Sequence, residues 1–256
     1  MMKRVDLNCD MGESFGAWHL GMDEEILKEI TSANVACGFH ASDPNVMHKT
    51  VEMATRAGVA VGAHPGYPDL VGFGRRPMAL SPSEVYTSVL YQIGALDGFC
   101  RAAGCTMQHV KPHGAMYNTA VKDPDIANAI VHAILDFRKD LILFAPAGSQ
   151  MAVEAEREGL RVAYEVFADR AYEEDGSLVS RKKPGAMITD EDLAVKRVIR
   201  MVKEGKVEAI TGKDIEIQAD SICVHGDGPK ALAFAGKIRE ALKKEQIEII
   251  SVEKFL

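Results

Sequence analysis

The sequence predicts an α/β protein in which a parallel sheet closes into a β/α barrel. Seven short apolar runs alternate along the chain with segments of helical periodicity, the pattern of repeated β/α units. Most of these runs end in polar, ionisable or glycine residues. The length of 256 residues is typical of one such barrel, so we expect a single β/α-barrel domain over residues 1–256.

The seven predicted strands are defined by their apolar runs. They cover Val5–Cys9, Ala33–Gly38, Val59–Ala63, Met107–Val110, Leu141–Ala145, Arg161–Phe167 and Ser221–Val224. Ionisable residues follow every run except the fifth, which is followed by Pro146 and Gly148. In a parallel barrel the carboxyl ends of the strands meet at one mouth, where catalytic residues gather.

Segments with helical periodicity lie between these strands. The predicted helices cover Asp23–Thr31, Pro44–Ala57, Ser81–Ala103, Pro124–Phe137, Gln150–Gly159, Asp190–Glu204 and Pro229–Lys244. Two longer stretches, Gly62–Pro82 and Asp169–Thr189, are rich in glycine, proline and charge. Because loops longer than about 15 residues in a compact domain are usually functional, we expect both to lie over the active face.

The composition argues against several classes of protein. A formal charge of −7 without a concentrated basic face argues against a nucleic-acid partner. No run approaches the roughly 18 apolar residues of a membrane span, and acidic residues interrupt any signal-peptide core, so we expect a cytoplasmic protein. The five cysteines are odd in number and form no C-x-x-C pair, which indicates neither a disulfide framework nor a thiolate zinc site.

The first strand carries alternating polar residues in the segment Asp6–Glu13. This period of two predicts one polar face, which points into the interior of a barrel. An EF-hand loop is excluded because Met11 occupies the position of its glycine and Ala17 the position of its bidentate glutamate.

Two carboxylates in a barrel interior are costly without a partner, so Lys111 or an arginine should face Asp6 and Asp10. The alternative is structural: Asp10 caps the following turn, and backbone amides satisfy Asp6.

Four of the eight histidines come directly after predicted strands: His40, His64, His113 and His225. We expect these side chains and Asp10 to surround one cavity, where imidazoles and carboxylates bind a divalent metal or transfer protons. The metal ligands suggested by this pattern are Asp6, Asp10, His40 and His64. The other four histidines are interpreted as structural or surface residues.

Two glycine-containing turns are candidates for anion binding. Gly226 and Asp227 precede the last predicted helix, whose first backbone N–H groups would face the site. Gly72–Arg76 offers the guanidinium groups of Arg75 and Arg76, although a solvated surface pair is an equal alternative. The sequence has neither a P-loop nor a dinucleotide fingerprint, so any nucleotide is held in another way.

Seven sequence blocks resemble the signature blocks of the lactam-utilisation (LamB/YcsF) family. In chain order, the blocks are Asp6–Glu13, Ser32–Pro44, Val61–Asp69, Gly72–Arg76, Val110–Asn118, Glu165–Tyr172 and Val224–Asp227. The resemblance implies a seven-stranded TIM-like barrel of the glycoside hydrolase/deacetylase type. It also implies ATP-dependent 5-oxoprolinase activity, in which 5-oxo-L-proline is cleaved to L-glutamate while ATP is hydrolysed to ADP and phosphate, with subunits B and C as partners.

The chemistry of lactam opening assigns expected roles. A lactam is an unactivated amide, so its oxygen is best phosphorylated before water attacks, and a cation must stabilise the developing charge. The expected catalytic residues are Asp10, Glu13, His64, Lys111 and His113. Substrate or nucleotide is expected to contact Asn8, His40, Arg75, Arg76, Tyr117, Asp169, Arg170, Gly226 and Asp227. ATP, with Mg²⁺ as its divalent metal, is the expected cofactor.

Two alternatives agree with the same residues. One is a metal-dependent amidohydrolase or deacetylase that needs no ATP, because acid and histidine clusters support that chemistry equally well. The other is a non-catalytic lactam-binding protein whose partners carry out the reaction.

Overall fold

The structure, a computed structural model, describes residues 2–225 and 228–256 and contains the closed barrel that the sequence predicts. Its strands are β1 (Arg4–Met11), β2 (Ser32–Ala36), β3 (Ala60–His64), β4 (Met107–Val110), β5 (Ile142–Ala145), β6 (Arg161–Phe167), β7 (Lys206–Glu208), β8 (Asp214–Glu216), β9 (Ser221–Val224) and β10 (Glu248–Ile249). Strands β1 to β6 and β9 pair in parallel, and β9 joins β6 to β1 and closes a seven-stranded barrel. β10 pairs in parallel with the first residues of β1, whereas β7 and β8 form a separate antiparallel hairpin.

The helices pack around the barrel, and several of them begin at a side-chain cap. They are α1 (Asp23–Ile26), α2 (Pro44–Ala57), α3 (Pro82–Ala102), α4 (Gly114–Ala120), α5 (Pro124–Phe137), α6 (Gln150–Arg157), α7 (Glu191–Glu204) and α8 (Pro229–Lys244). The Asp43 carboxylate accepts hydrogen bonds from two backbone N–H groups at the start of α2, and Ser81 forms a capping box with Glu84 at the start of α3. None of the helices in the described ranges is both long and apolar enough to cross a membrane.

The largest difference from the predicted elements is the early end of α1. The sequence predicts a helix to Thr31, but α1 ends at Ile26. Thr31 forms hydrogen bonds with β1 instead of continuing the helix. Its N–H donates to the Leu7 carbonyl at 2.8 Å, and its hydroxyl donates to Asp6 at 2.6 Å. The short helix α4 and the β7–β8 hairpin are not predicted by the apolar pattern.

The interior of the barrel is polar, as the alternation in β1 predicts. The odd-numbered side chains of β1 join the hydrophobic core between sheet and helices, while Asp6, Asn8 and Asp10 face inward. Barrel interiors of this class are usually filled by Val, Ile and Leu. Here, side-chain hydrogen bonds join Ser221 to Asp6 and Asn8, and Asn8 in turn to Asn34 and Lys111.

Gly62 makes room for an imidazole inside this interior. The His109 ring, completely buried, places Nε2 2.7 Å from Asn34 Oδ1, and a Cβ atom at Gly62 would lie 2.1 Å from that same nitrogen. Burial lowers the pKa of His109 to about 3, so the ring is neutral. His109 is therefore a structural histidine, as interpreted from the sequence, and it requires glycine on β3.

Candidate active site

Lys111 occupies the centre of the site, directly after β4. Its Nζ atom lies 2.7 Å from Glu165 Oε1 and 3.0 Å from Asp10 Oδ1, and only 4% of the side chain is exposed. Burial alone would lower the pKa of Lys111, but the neighbouring Asp10, Cys223 and Glu165 outweigh it and hold that pKa well above its usual value. The ammonium is therefore a fixed positive charge, and its contact with Asp10 agrees with the prediction that Lys111 faces a carboxylate of β1.

Asp10 links this charge to the histidines. One of its oxygens contacts Lys111, while Oδ2 lies 3.3 Å from His64 Nε2. Burial would raise the pKa of Asp10, but His64 and Lys111 overcome that effect and keep the pKa well below its usual value. Its side chain is 24% exposed, so Asp10 is an ionised carboxylate within reach of a bound molecule.

His64 and His113 meet at the end of β3 and the start of α4. His64 Nε2 lies 2.9 Å from His113 Nδ1. The other nitrogen of each ring is close to a backbone carbonyl: His64 Nδ1 is 2.6 Å from Lys111 O, and His113 Nε2 is 2.9 Å from Phe73 O. Burial lowers the pKa of His113 to about 3, so this ring is neutral at ordinary pH.

His40 and Glu13 complete this cluster. The His40 ring is stacked on that of His113, with centroids 3.7 Å apart, and its Nε2 lies 3.4 Å from Glu13 Oε1. The same carboxylate oxygen is 3.7 Å from His113 Nδ1. Burial and the neighbouring His113 and His64 hold the pKa of His40 well below its usual value. Three imidazoles and one carboxylate thus converge at the barrel mouth.

Glu165 is a site residue that the sequence pattern does not predict. It lies in the middle of β6 with a completely buried side chain, where it contacts Lys111 and accepts a hydrogen bond of 2.9 Å from the Tyr117 hydroxyl. A carboxylate inside the apolar run of β6 is costly unless it is paired. The sequence does contain a sign of this role, namely a single charged residue inside an apolar run. The prediction misses it because it considers only residues that follow the end of each strand, such as Asp169 and Arg170 after β6.

A cavity of about 1240 Å³ opens above these groups. Both long loops predicted to cover the active face contribute to it, with Phe73 and Arg75 from the first and the segment Arg170–Lys182 from the second. The predicted site residues that line it are Asp10, Glu13, His64, Arg75, Lys111, His113, Tyr117, Arg170 and His225. The lining of the cavity therefore combines carboxylates and imidazoles with the side chains of lysine and arginine.

The remaining predicted residues lie around this cavity. His40 is completely buried in the histidine cluster, and Asn8 donates to Ser221 within the barrel. Asp6 accepts hydrogen bonds from the hydroxyls of Thr31, Ser32 and Ser221.

Three further predictions concern the loops. Arg76 pairs with Asp69 and so diverges from Arg75, which lies over the Phe73 ring with its guanidinium carbon 4.9 Å from the centroid. Asp169 Oδ2 lies 3.3 Å from His225 Nδ1. Gly226 and Asp227 lie outside the described residues.

A comparison with known families identifies this arrangement. The family model of LamB/YcsF matches residues 5–256. The chain belongs to the LamB/YcsF family. The resemblance recognised in the sequence blocks is thereby confirmed, and the match extends beyond them to the end of the chain.

Similar proteins from this family cover essentially the whole chain. The A subunit of 5-oxoprolinase from Clostridium beijerinckii is 64% identical over 99% of this chain and 100% of its own length. The protein of the same name from Bacillus licheniformis is 58% identical, over 97% of this chain and 98% of its own length.

Solved structures extend the comparison to the fold. A lactam utilization protein from Thermus thermophilus is 50% identical and superimposes with a TM-score of 0.93, covering 96% of this chain and 99% of that one. A T48 deacetylase bound to substrate, 13% identical, has a TM-score of 0.52 over 99% of this chain and 90% of its own. LamB/YcsF proteins therefore share their barrel with deacetylases, as the sequence resemblance implied.

Proposed function

We propose that this chain is the A subunit of an ATP-dependent 5-oxoprolinase, which cleaves 5-oxo-L-proline to L-glutamate while ATP is hydrolysed to ADP and phosphate. The observation that carries the proposal is the charge of Lys111, held between Asp10 and Glu165 at the base of the cavity. The names of the similar bacterial proteins support the same substrate.

The electrostatics of the site suit the activation of an amide. Phosphorylation of the lactam oxygen and the later attack of water both produce negative charge near that oxygen. A preorganised, desolvated ammonium stabilises such charge far better than water does. Lys111 meets this requirement because Glu165 and Asp10 fix its position, and Tyr117 in turn fixes Glu165.

The carboxylate of the lactam and the phosphates of ATP need cationic partners. Arg75, Arg170, Arg181 and Lys182 line the same cavity as Lys111. Guanidinium groups are the preferred partners of carboxylate and phosphate oxygens. We assign the substrate carboxylate to Arg170 or Arg75, and the phosphates with their Mg²⁺ to the more open side of the cavity.

Water must be positioned for the second half of the reaction. Asp10 is better placed than Glu165 for this role, since 24% of the Asp10 side chain is exposed whereas that of Glu165 is completely buried. The contact with His64 orients Asp10 towards the cavity. In this proposal Asp10 accepts a proton from the attacking water while Lys111 stabilises the oxygen of the opening ring, and that proton passes to the ring nitrogen as the C–N bond breaks. A second water then hydrolyses the resulting acyl phosphate to the carboxylate of glutamate and phosphate.

The full reaction is proposed to require subunits B and C. Similar proteins are named as the A subunit of the enzyme, which describes one part of an assembly. The chain itself has no P-loop, so a partner that contributes to nucleotide binding agrees with its sequence.

The experiment measures glutamate formation and phosphate release from 5-oxoproline and ATP, with and without the partner subunits. We expect both products, in equal amounts, only from the complete assembly. Glutamate formed by this chain alone without ATP would instead establish an ATP-independent amidohydrolase. Full turnover by a correctly assembled complex carrying Lys111→Ala would show that this lysine is at most a structural counter-ion and would transfer the catalytic assignment to His64 and His113.

A further inference from the structure

Four side chains of the types that can ligate a metal converge at the barrel mouth: Glu13, His40, His64 and His113. One potential ligand atom from each lies within 4.8 Å of all the others. The three histidines are almost completely buried, so the cluster is held within the protein rather than scattered over its surface. Imidazole nitrogen and carboxylate oxygen are the ligands that divalent zinc and related transition ions prefer.

The backbone around His64 and His113 fixes which nitrogen of each ring carries a proton. A carbonyl oxygen only accepts hydrogen bonds, so His64 Nδ1 must donate to Lys111 O and His113 Nε2 must donate to Phe73 O. His64 Nε2 and His113 Nδ1 are then the nitrogens that remain for another partner. These two atoms face each other at 2.9 Å, an arrangement that is repulsive unless a cation or a proton lies with them.

His40 presents a second, independent signal. Its ring is completely buried, and neither Nδ1 nor Nε2 has a hydrogen-bond partner among the described residues. Unsatisfied buried polar atoms are rare and costly, and they commonly mark the position of an ion or a water molecule. The backbone at Gly66 and Gly74 also packs closely against His40. A Cβ atom at Gly66 would lie 2.6 Å from Nδ1, and one at Gly74 would lie 2.6 Å from the His40 Cβ, so neither position has room for a side chain.

We propose that Glu13, His40, His64 and His113 bind one divalent transition-metal ion of the zinc class at the base of the cavity. Its ligand atoms are Glu13 Oε1, His40 Nε2, His64 Nε2 and His113 Nδ1. Two of the four residues that the sequence suggests as ligands belong to this set. Asp10 lies beside it, in contact with His64, and Asp6 is held by hydroxyl groups instead.

The separations between these atoms fit such an ion. Metal–ligand bonds of about 2.0–2.1 Å in a tetrahedron place neighbouring ligand atoms about 3.4 Å apart. The separations in the structure include 2.9 Å between His64 and His113, 3.4 Å between His40 and Glu13, and 3.7 Å between His113 and Glu13, and all four ligand atoms lie within 4.8 Å of one another. Binding of one ion by both rings requires His40 and His113, stacked with centroids 3.7 Å apart, to rotate out of their parallel arrangement.

The outer contacts also have the form of a metal site. Histidines that bind metals nearly always donate their second ring N–H to a carboxylate, a backbone carbonyl or water. His64 and His113 each donate to a backbone carbonyl.

The test measures metal binding to the isolated chain, so its result does not depend on whether the proposed lactam reaction is correct. The purified chain is stripped with a chelator and titrated with Zn²⁺ in competition with a chromophoric chelator. A parallel titration with Co²⁺ records the visible absorption that nitrogen and oxygen ligands produce. We expect one ion per chain and a cobalt spectrum of low coordination number.

Variants then assign the ligands. His40→Gln, His113→Gln and Glu13→Gln preserve approximate size, and each should weaken Zn²⁺ binding by more than the roughly 10- to 100-fold caused by loss of an outer partner. The matched control is His109→Gln, because His109 is equally buried but both of its ring nitrogens contact side chains of the barrel. That variant should retain one ion per chain. Melting curves establish that each variant is folded, and Glu13→Gln is the least disruptive of the three since its side chain is partly exposed.

Two results would overturn the proposal. A folded wild-type chain that binds neither Zn²⁺ nor Co²⁺ would show that His64 and His113 share a proton instead of an ion. Wild-type affinity in folded His40→Gln and Glu13→Gln variants would show that any bound ion lies elsewhere.

Discussion

Lys111 and Glu165 form a buried ion pair of 2.7 Å between two strands that are not neighbours. Lys111 follows β4 and Glu165 lies in β6, and β5 separates these strands in the sheet. The contact therefore reaches past one intervening strand of the barrel. It brings a positive charge to the base of the cavity while both partners remain almost fully buried.

Removal of the lysine should abolish most of the activity. In the assembled complex, we expect Lys111→Ala to lower turnover by roughly a hundredfold or more, the loss typical of one preorganised electrostatic donor. Lys111→Arg should restore little, because a planar guanidinium does not replace a point charge between Asp10 and Glu165. Steady-state glutamate formation measures this effect, with circular dichroism and complex assembly unchanged. Lys203→Ala, at an exposed position, is the control and should leave turnover as it is.

The ion pair should also be visible in stability. Breaking a buried pair by removing one partner costs about 3–5 kcal/mol, since the other charge stays buried without compensation. We expect Lys111→Met and Glu165→Gln each to destabilise the chain, and the double variant to lose at least about 2 kcal/mol less than the sum. Urea unfolding of the four proteins gives this coupling energy.

The exposed pair Lys203–Glu245 provides the matched control for that cycle. Its atoms are 2.6 Å apart, but both side chains are more than a third exposed. Its coupling energy should be below about 1 kcal/mol. Equal coupling in the two cycles would contradict the assignment of Lys111 and Glu165 as a desolvated pair.

Asp6 should make stability depend on pH. Burial raises the pKa of Asp6 to about 6, against the opposing hydrogen bonds from Ser221, Ser32 and Thr31. Because the folded-state pKa lies above the usual 3.8, the folded protein binds more protons between these values, and this stabilising contribution is lost as the pH rises through about 6.

The substitution Asp6→Asn removes that titration. Relative to the variant, the wild-type chain should lose about 3 kcal/mol of unfolding free energy as the pH rises from about 4 to about 7. Chemical unfolding at a series of pH values measures the difference. Parallel curves for the two proteins would show that Asp6 has the same pKa in the folded and unfolded states.

Gly74 should be essential for the histidine cluster. Its φ angle is +61°, and a Cβ atom there would lie 2.6 Å from the His40 Cβ and 2.9 Å from His113 Cδ2. We expect Gly74→Ala to displace both rings and to lower turnover of the assembled complex by at least roughly tenfold, since small displacements of catalytic groups have large effects.

Gly58→Ala is the control that distinguishes displacement of the rings from the effect of backbone strain. Gly58 ends α2 with a φ of +68°, and a Cβ atom at this position would meet no atom within 4 Å. Both variants should lose about 1–2 kcal/mol of stability from the left-handed conformation, but only Gly74→Ala should lose activity. Comparable turnover in the two variants would show that the rings tolerate the extra methyl group.

Regular elements were largely predictable because their signals are local. β4, β6 and β9 have the limits that the apolar runs predict, and α2 and α5 begin and end where proline, caps and periodicity place them. The mouth of the barrel was predictable too, because parallel strands all end on the same side. The α4 helix was not, since Gly114 and the preceding Pro112 have the local character of a turn.

The sequence predicts many of the residues that form the site, but not which of their atoms contact each other. Strand ends place His64 and His113 at one mouth, yet no spacing in sequence determines which ring nitrogens meet. Arg75 and Arg76 are adjacent and chemically identical, but only the fold shows that Asp69 engages the second of them. Glu165 belongs to the site because it pairs with Lys111, which lies 54 positions away along the chain. Such a pairing depends on the order of the strands in the closed sheet and cannot be deduced from the sequence.

The contact between Gly62 and His109 constrains how this protein can change over evolution. An imidazole fits inside the barrel because the adjacent strand carries no side chain at Gly62. Any substitution at position 62 must therefore be preceded or accompanied by a smaller residue at position 109, and that change would deprive Asn34 Oδ1 of its contact with the imidazole. The two positions should vary together, and single changes at either should be selected against even though neither residue lines the cavity.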